Sequence, residues 1–260
     1  INGHFDGTTM YQYVNGNLVG SLASTGTFSI TKYGMGIDMT NNGIWLDHAY
    51  YGEILMYQSA PTTAQRQSIE GYLATKWGLQ SSLPTSHPYY STPTIAPLYG
   101  HLAICASGNN VVSSYNAPQC ILWLDGADGT TITSSSNLVS QWRDKSGMNN
   151  HMSQATGANQ PTLTANAKNS RSALNFGAAS IMTNTTMFFP STYSVFAVAG
   201  PTAVTNTWAR ILSHYELGNA PNGTVNNGLF FFGAYNGNNA DFCGSGYYQN
   251  WNDVNVNSPS

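Results

Sequence analysis

Hydrophobic and polar positions change period along the chain, and the changes mark its elements. Between Met10 and Gly20 (MYQYVNGNLVG) two β-rich runs flank Asn15-Gly16, a strong short-range hairpin signal. Strand-like patterning continues to Gln58, with a second turn expected at Asn42-Gly43. GEILMY (Gly52–Tyr57) is apolar on both alternating faces except at Glu53, the pattern of a central strand. The period then becomes helical: Ile69, Tyr72, Leu73 and Trp77 fall on one face. Thr62 is the expected N-cap, Gln65 its capping-box partner and Gly78 the stop. Pro84 and Pro88 forbid helix, so Leu83–Tyr89 is expected to be an extended arm with His87 packed within it. Residues 99–119 mix Pro, Gly, Asn and Ser around one apolar island, Leu102–Cys105, and read as a linker.

A second strand series opens at CILWLDGADGTTI (Cys120–Ile132), an apolar run followed by an acidic, Gly-containing turn. NLVSQWRDKSGMNNHMSQ and SALNFGAAS are a polar loop region with short strands. YSVFAVAG (Tyr193–Gly200), ARILSHYE and GLFFFGAYNG are further strands. Strands punctuated by Gly and Asn turns, with one short helix, predict an all-β fold, an antiparallel jelly-roll β-sandwich.

Composition narrows the function. The chain has 260 residues, 41% of them hydrophobic, with 16 Tyr, 10 Phe and 6 Trp, enough for a substantial core. Only 7% are charged and the net charge is −3, so Asn, Ser, Thr, Gln and Gly must supply the surface polarity. Such surfaces suit secreted, cell-surface and virus-particle proteins. The eight Lys and Arg are scattered, whereas phosphate-backbone binding needs clustered cations; nucleic acid is not an expected partner. No apolar run has the length of a membrane span. Three cysteines allow at most one internal bridge: Cys105 and Cys120 could pair, or stay buried thiols, and Cys243 is the third. Asn184-Thr185-Thr186 and Asn222-Gly223-Thr224 are glycosylation sequons, relevant only along a secretory route.

Two segments carry a resemblance. LWLDGAD…ITSSSNLVSQWRDKSGMNNHMSQAT…QPTL…LNFGAAS…YSVFAVAGP resembles the N-terminal part of laminin-G-like modules of the concanavalin A-like lectin/glucanase superfamily. YVNGNLVGS…GEILMYQSAPTTAQRQSIEGYLATKWGLQSSLPTSHPYY resembles the C-terminal part of the same modules, of the type found in bacterial surface proteins, phage fibres and large DNA viruses. The resemblance makes residues 1–98 the C-terminal half of one module and 120–260 the N-terminal half of one, in reversed order. It implies either a fragment of a tandem array or two complementing halves that share sheets.

The candidate chemistry is sparse. Glycoside hydrolysis normally needs two carboxylates about 5–10 Å apart, and glucanase relatives carry a Glu-x-Asp-x-Glu strand. The three Glu here, Glu53, Glu70 and Glu216, have no acidic neighbour two residues away; Glu53 and Glu70 are expected to be solvated or locally paired. Asp125, Asp128 and Asp144 are the candidates for a hard cation such as Ca²⁺, against the plainer role of turn and capping residues. The six His, including His151 and His214, are spread singly, without zinc-ligand spacing. No nucleophile elbow or phosphate loop is present.

Sugar binding needs planar amide or carboxylate groups beside an aromatic face. Tyr235, Tyr248, Asn250 and Trp251 supply those groups and are the candidate ligand-binding residues. The expectation is a non-enzymatic, extracellular or particle-surface module without a cofactor. It binds a glycan or surface protein and contacts neighbouring modules or subunits. The alternative is a structural fibre, spike or minor coat component, and glycoside hydrolysis is the remote third reading.

Overall fold

The structure, a computed structural model, describes residues 1–23, 30–36, 49–91, 120–177, 179–187, 190–201, 212–216, 233–235, 239–242 and 254–256. The first part of the chain forms β1 (Asn2–Phe5), β2 (Thr9–Val14), β3 (Asn17–Ala23), β4 (Ile30–Met35), β5 (Ala49–Tyr57) and α1 (Thr63–Trp77). The second forms β6 (Cys120–Asp125), β7 (Ile132–Ser135), β8 (Leu138–Trp142), β9 (Met152–Ser153), β10 (Thr162–Lys168), β11 (Arg171–Phe176), β12 (Met182–Asn184), β13 (Tyr193–Pro201) and β14 (Ser213–Glu216). These fourteen strands join in one antiparallel network. A separate three-stranded sheet holds β15 (Gly233–Tyr235), β16 (Asn239–Phe242) and β17 (Val254–Val256). The protein is all-β with one short α-helix among the described residues.

The two parts interleave. Along one edge β5 pairs with β13, from Tyr57↔Ser194 to Ala49↔Pro201. Along the other, Glu53–Tyr57 pair with β6 and Ala49–Tyr51 with β11. The strand forks at Gly52, whose carbonyl accepts from Gly126 N–H at 2.8 Å. β13 also pairs with β1, and β4 lies between β12 and β14. Residues far apart in strand order, such as Tyr33 and Met35 of β4, Ile54 and Met56 of β5, Leu122, Trp142 and Phe176, share one buried cluster. The network therefore curls on itself around a core, as a β-sandwich does.

Local chemistry explains the elements. Asn15 and Gly16 both take positive φ, 48° and 79°, the two left-handed positions of the hairpin turn expected there. Helix α1 starts at Thr62, whose side chain and that of Gln65 cap each other's backbone N–H groups. It stops at Gly78 with φ 66°. Its inner face, Ile69, Leu73 and Trp77, packs on Leu55, Tyr57, Cys120, Trp123 and Phe196 in a second apolar cluster. Trp77 lies so close to β5 that a Cβ on Gly52 would come 2.8 Å from its ring.

Two expectations change. Leu83–Tyr89 is not an extended arm: it turns repeatedly, with His87 N–H donating to Pro84 O at 2.8 Å and Tyr90 N–H to His87 O at 3.0 Å. The prolines exclude helix but fit turns, and the turns bring Tyr89 against Gly71, where a Cβ would sit 2.4 Å from the ring. The sequon at Asn184 is buried: Asn184 Nδ2 donates to His151 O, and its Oδ1 accepts from Thr186 and Met187 N–H. The turn at Asn42-Gly43, the 99–119 linker, Asn222, Cys105 and Cys243 lie outside the described residues. Cys120 is buried, its Sγ 3.4 Å from Leu122 O.

Candidate functional site

Helix α1 organises two polar clusters, one on each flank. The first centres on Glu53, the only polar side chain in an apolar strand run, which points from β5 toward the helix. It is fully buried. Trp123 Nε1 and Tyr72 Oη donate to its Oε1 at 2.9 and 2.8 Å. Trp77 Nε1 and Lys76 Nζ reach its Oε2 at 2.9 and 2.8 Å. The charges continue outward: Lys76 Nζ lies 2.8 Å from Asp125 Oδ1, and Lys145 Nζ lies 2.9 Å from Asp125 Oδ2 and 2.8 Å from Asp128 Oδ2. The result is an alternating chain, Glu53–Lys76–Asp125–Lys145–Asp128, that runs from the interior to the surface. Lys145 also covers the Trp123 ring at 4.3 Å, a cation–π contact.

Electrostatics follow from this geometry. Burial pushes the Glu53 carboxyl up, and the Asp125 charge adds to it, against the pull of Lys76 and the Trp77 donor. Burial and Glu53 likewise push the Tyr72 phenol up. Asp128, nearer solvent, is held down to about 2 by its hydrogen bonds from Lys145 and Thr130. Burial works against the Lys145 ammonium, but its bonds to Asp128 and Asp125 outweigh it and raise the group.

The second cluster lies toward the start of the helix. Arg66 Nη1 bonds both Glu70 oxygens at 2.8 and 2.7 Å, one helical turn apart. His87 Nε2 lies 3.2 Å from Glu70 Oε2, and Asn2 Nδ2 donates to Oε1 at 3.3 Å. The Arg66 guanidinium covers the Tyr13 ring at 4.0 Å. His4 stacks between Tyr11 and Tyr13, with ring centroids 4.9 and 5.8 Å away. Burial lowers the His4 pKa to about 4, helped by Arg66 and opposed by Asp6. Beside this cluster runs a groove. Asn2, Tyr13, Asn15 and Glu70 line it with polar groups, and Leu73, Leu83 and Phe196 with apolar ones.

The candidate cation ligands do not converge. Asp125 and Asp128 share Lys145, and Asp128 also caps Thr130 N–H and Oγ1. Asp144 accepts instead from Trp123, Ser146 and Asn150 N–H and from Ser146 Oγ, all at 2.7 to 2.9 Å. Among the described residues no three His, Cys, Asp or Glu side chains are placed so that they could hold a metal ion. His151, without a partner evident in sequence, accepts from Asp144 N–H at 3.0 Å. Tyr235 lies on β15 of the small sheet, while Tyr248, Asn250 and Trp251 lie outside the described residues.

Sequence reasoning missed the Glu53 cluster. Glu53 was expected to be solvated or locally paired; it is instead buried, with partners 19, 24 and 70 residues away. The available signal was one acid in an otherwise apolar strand, beside a helix ending Lys-Trp. No protein-family model, curated protein or solved structure matches the chain. No described helix is long and apolar enough to cross a membrane.

Proposed function

We propose that the protein is a non-enzymatic binding module of laminin-G-like, jelly-roll type. It is displayed on a cell or particle surface within a multi-module protein and holds a glycan or a surface protein. The observation that carries this reading is the groove beside α1. Asn2, Tyr13, Asn15 and Glu70 line it alongside the apolar Leu73, Leu83 and Phe196, and Asn2, Arg66 and His87 hold the Glu70 carboxylate in place. Amide and carboxylate hydrogen bonds beside an apolar and aromatic surface are the chemistry of sugar recognition. The low charge of the chain, 7% of residues, accords with recognition by neutral polar groups. The carboxylates Glu53, Asp125 and Asp144 are buried on their own donors and do not line the groove, whereas Glu70, also held by its own partners, does.

A glycan array probed with the whole chain tests the proposal. Reproducible binding to a defined glycan class is expected. Asn15→Gly keeps the turn conformation and removes one groove amide, so it weakens binding if the groove is the site. Trp251→Ala does so if the aromatic, Asn-rich C-terminal stretch is the site. No glycan binding, together with stable head-to-tail assembly, rejects the proposal in favour of a structural fibre, spike or coat role. Turnover of a β-glucan rejects it in favour of a hydrolase.

A further inference from the structure

We propose that Lys76 and Asp125 condense into an intramolecular isopeptide bond, with Glu53 as the proton carrier, tying helix α1 covalently to strand β6. The three groups are arranged for it. Lys76 Nζ stands 2.8 Å from Asp125 Oδ1 and 2.8 Å from Glu53 Oε2. The side chains of Lys76, Asp125 and Glu53 are 13%, 6% and 0% exposed, so bulk water scarcely reaches them. Trp77, Trp123 and Tyr72 fix the Glu53 carboxylate by hydrogen bonds. Lys145 holds the other oxygen of Asp125 at 2.9 Å, where it stabilises negative charge as the carbonyl carbon becomes tetrahedral.

The atoms balance without a co-reactant. The Lys76 ammonium passes one proton to Glu53, and burial, which favours the neutral form of that acid, assists the transfer. The neutral amine then forms a bond from Nζ to Asp125 Cγ. A C–O bond of Asp125 breaks, and its oxygen leaves as water with one proton from Glu53 and one from the nitrogen. Glu53 ends as it began. One ammonium and one carboxylate become one neutral amide, which relieves the desolvation cost of a buried ion pair. Fixed geometry supplies the effective concentration that a bimolecular amide synthesis lacks. Asp125 belongs to β6 and Lys76 to α1, so the bond closes the loop between the two interleaved parts of the chain.

Intact-mass spectrometry of the purified, denatured protein reads the bond. A mass lower by one water than the sequence requires is expected. The sequence has no Lys or Arg between Lys76 and Arg143. Trypsin should therefore leave residues 67–143 as one dehydrated peptide, uncut after Lys76. A second protease that cuts between Trp77 and Trp123 should leave its fragments joined. Asp125-Gly126 could also lose water by closing a succinimide, but that product restores cleavage after Lys76 and opens in mild base. Lys76→Arg, which keeps the charge, should restore the full mass, as should Glu53→Gln. The full sequence mass in the wild-type protein overturns the proposal. So does a water loss that survives Lys76→Arg, or one that mild base reverses.

Discussion

Glu53 and Glu70 sit on opposite flanks of the same helix, both buried, and are held in different ways. Glu70 belongs to α1 and finds Arg66 one turn earlier on its own helix. Its remaining partners, His87 and Asn2, come from the turned arm and β1, and it borders an open groove. Glu53 has no local partner. Two indoles, a phenol and a lysine converge on it from α1 and β6, and nothing in the groove reaches it. The comparison separates two uses of a buried carboxylate. One leaves an edge toward a ligand-sized space; the other closes a junction where β5, β6 and the helix meet. A single acid in the most apolar strand is tolerable only because every lone pair has a donor.

The largest effect that would break this comparison is on the closed side. Glu53→Ala leaves two indole N–H groups and the Tyr72 hydroxyl without their acceptor, and Lys76 with Asp125 as its remaining carboxylate. Chemical denaturation should show a loss of about 3–5 kcal/mol. Glu70→Ala should cost less, about 1–3 kcal/mol, because Glu70 borders the groove, where water can take the place of the lost acceptor; equal losses would erase the distinction. Gly52→Ala drives a methyl group into Trp77 and should cost about 1–3 kcal/mol by overpacking, read in the same titration. Thr62→Ala removes the helix cap that positions both clusters and should cost about 1 kcal/mol.

The last effect is confined to acid pH and leaves stability at neutral pH unchanged. His4 titrates near 6.5 in the unfolded chain and about 4 when folded, so the folded state binds its proton less readily. The stability it contributes is complete above about pH 6.5 and is lost as pH falls through 4. His4→Phe keeps an aromatic ring in the stack and should flatten that part of the stability–pH curve. An unchanged curve would show that the open side tolerates a charge at His4.

The legible features were those set by near neighbours. Asn15-Gly16 specifies its turn through two left-handed residues, and Thr62, Gln65 and Gly78 bound the helix through contacts within one turn. The apolar run of β5 announced a central strand, and the all-β class followed from the strand periodicity. Position-by-position patterning could not say which strands β5 pairs with, because pairing partners lie up to about 150 residues away and any antiparallel apolar strand satisfies the same pattern. Glu53 was illegible for the same reason: its environment is made by distant indoles. Pro84 and Pro88 reported what the arm is not, a helix, and not what it is. Asn184 matched a surface motif although its amide is consumed by the backbone around it.

Strand β5 is shared: strands from residue 120 onward flank it on both edges. The most direct test is to produce residues 1–98 and 120–260 as separate chains and follow them by circular dichroism and cooperative unfolding, alone and mixed. Neither piece alone should show a cooperative transition, and mixing should restore one transition common to both. Two pieces that each unfold cooperatively on their own, and do not change on mixing, would contradict the interleaved sheet.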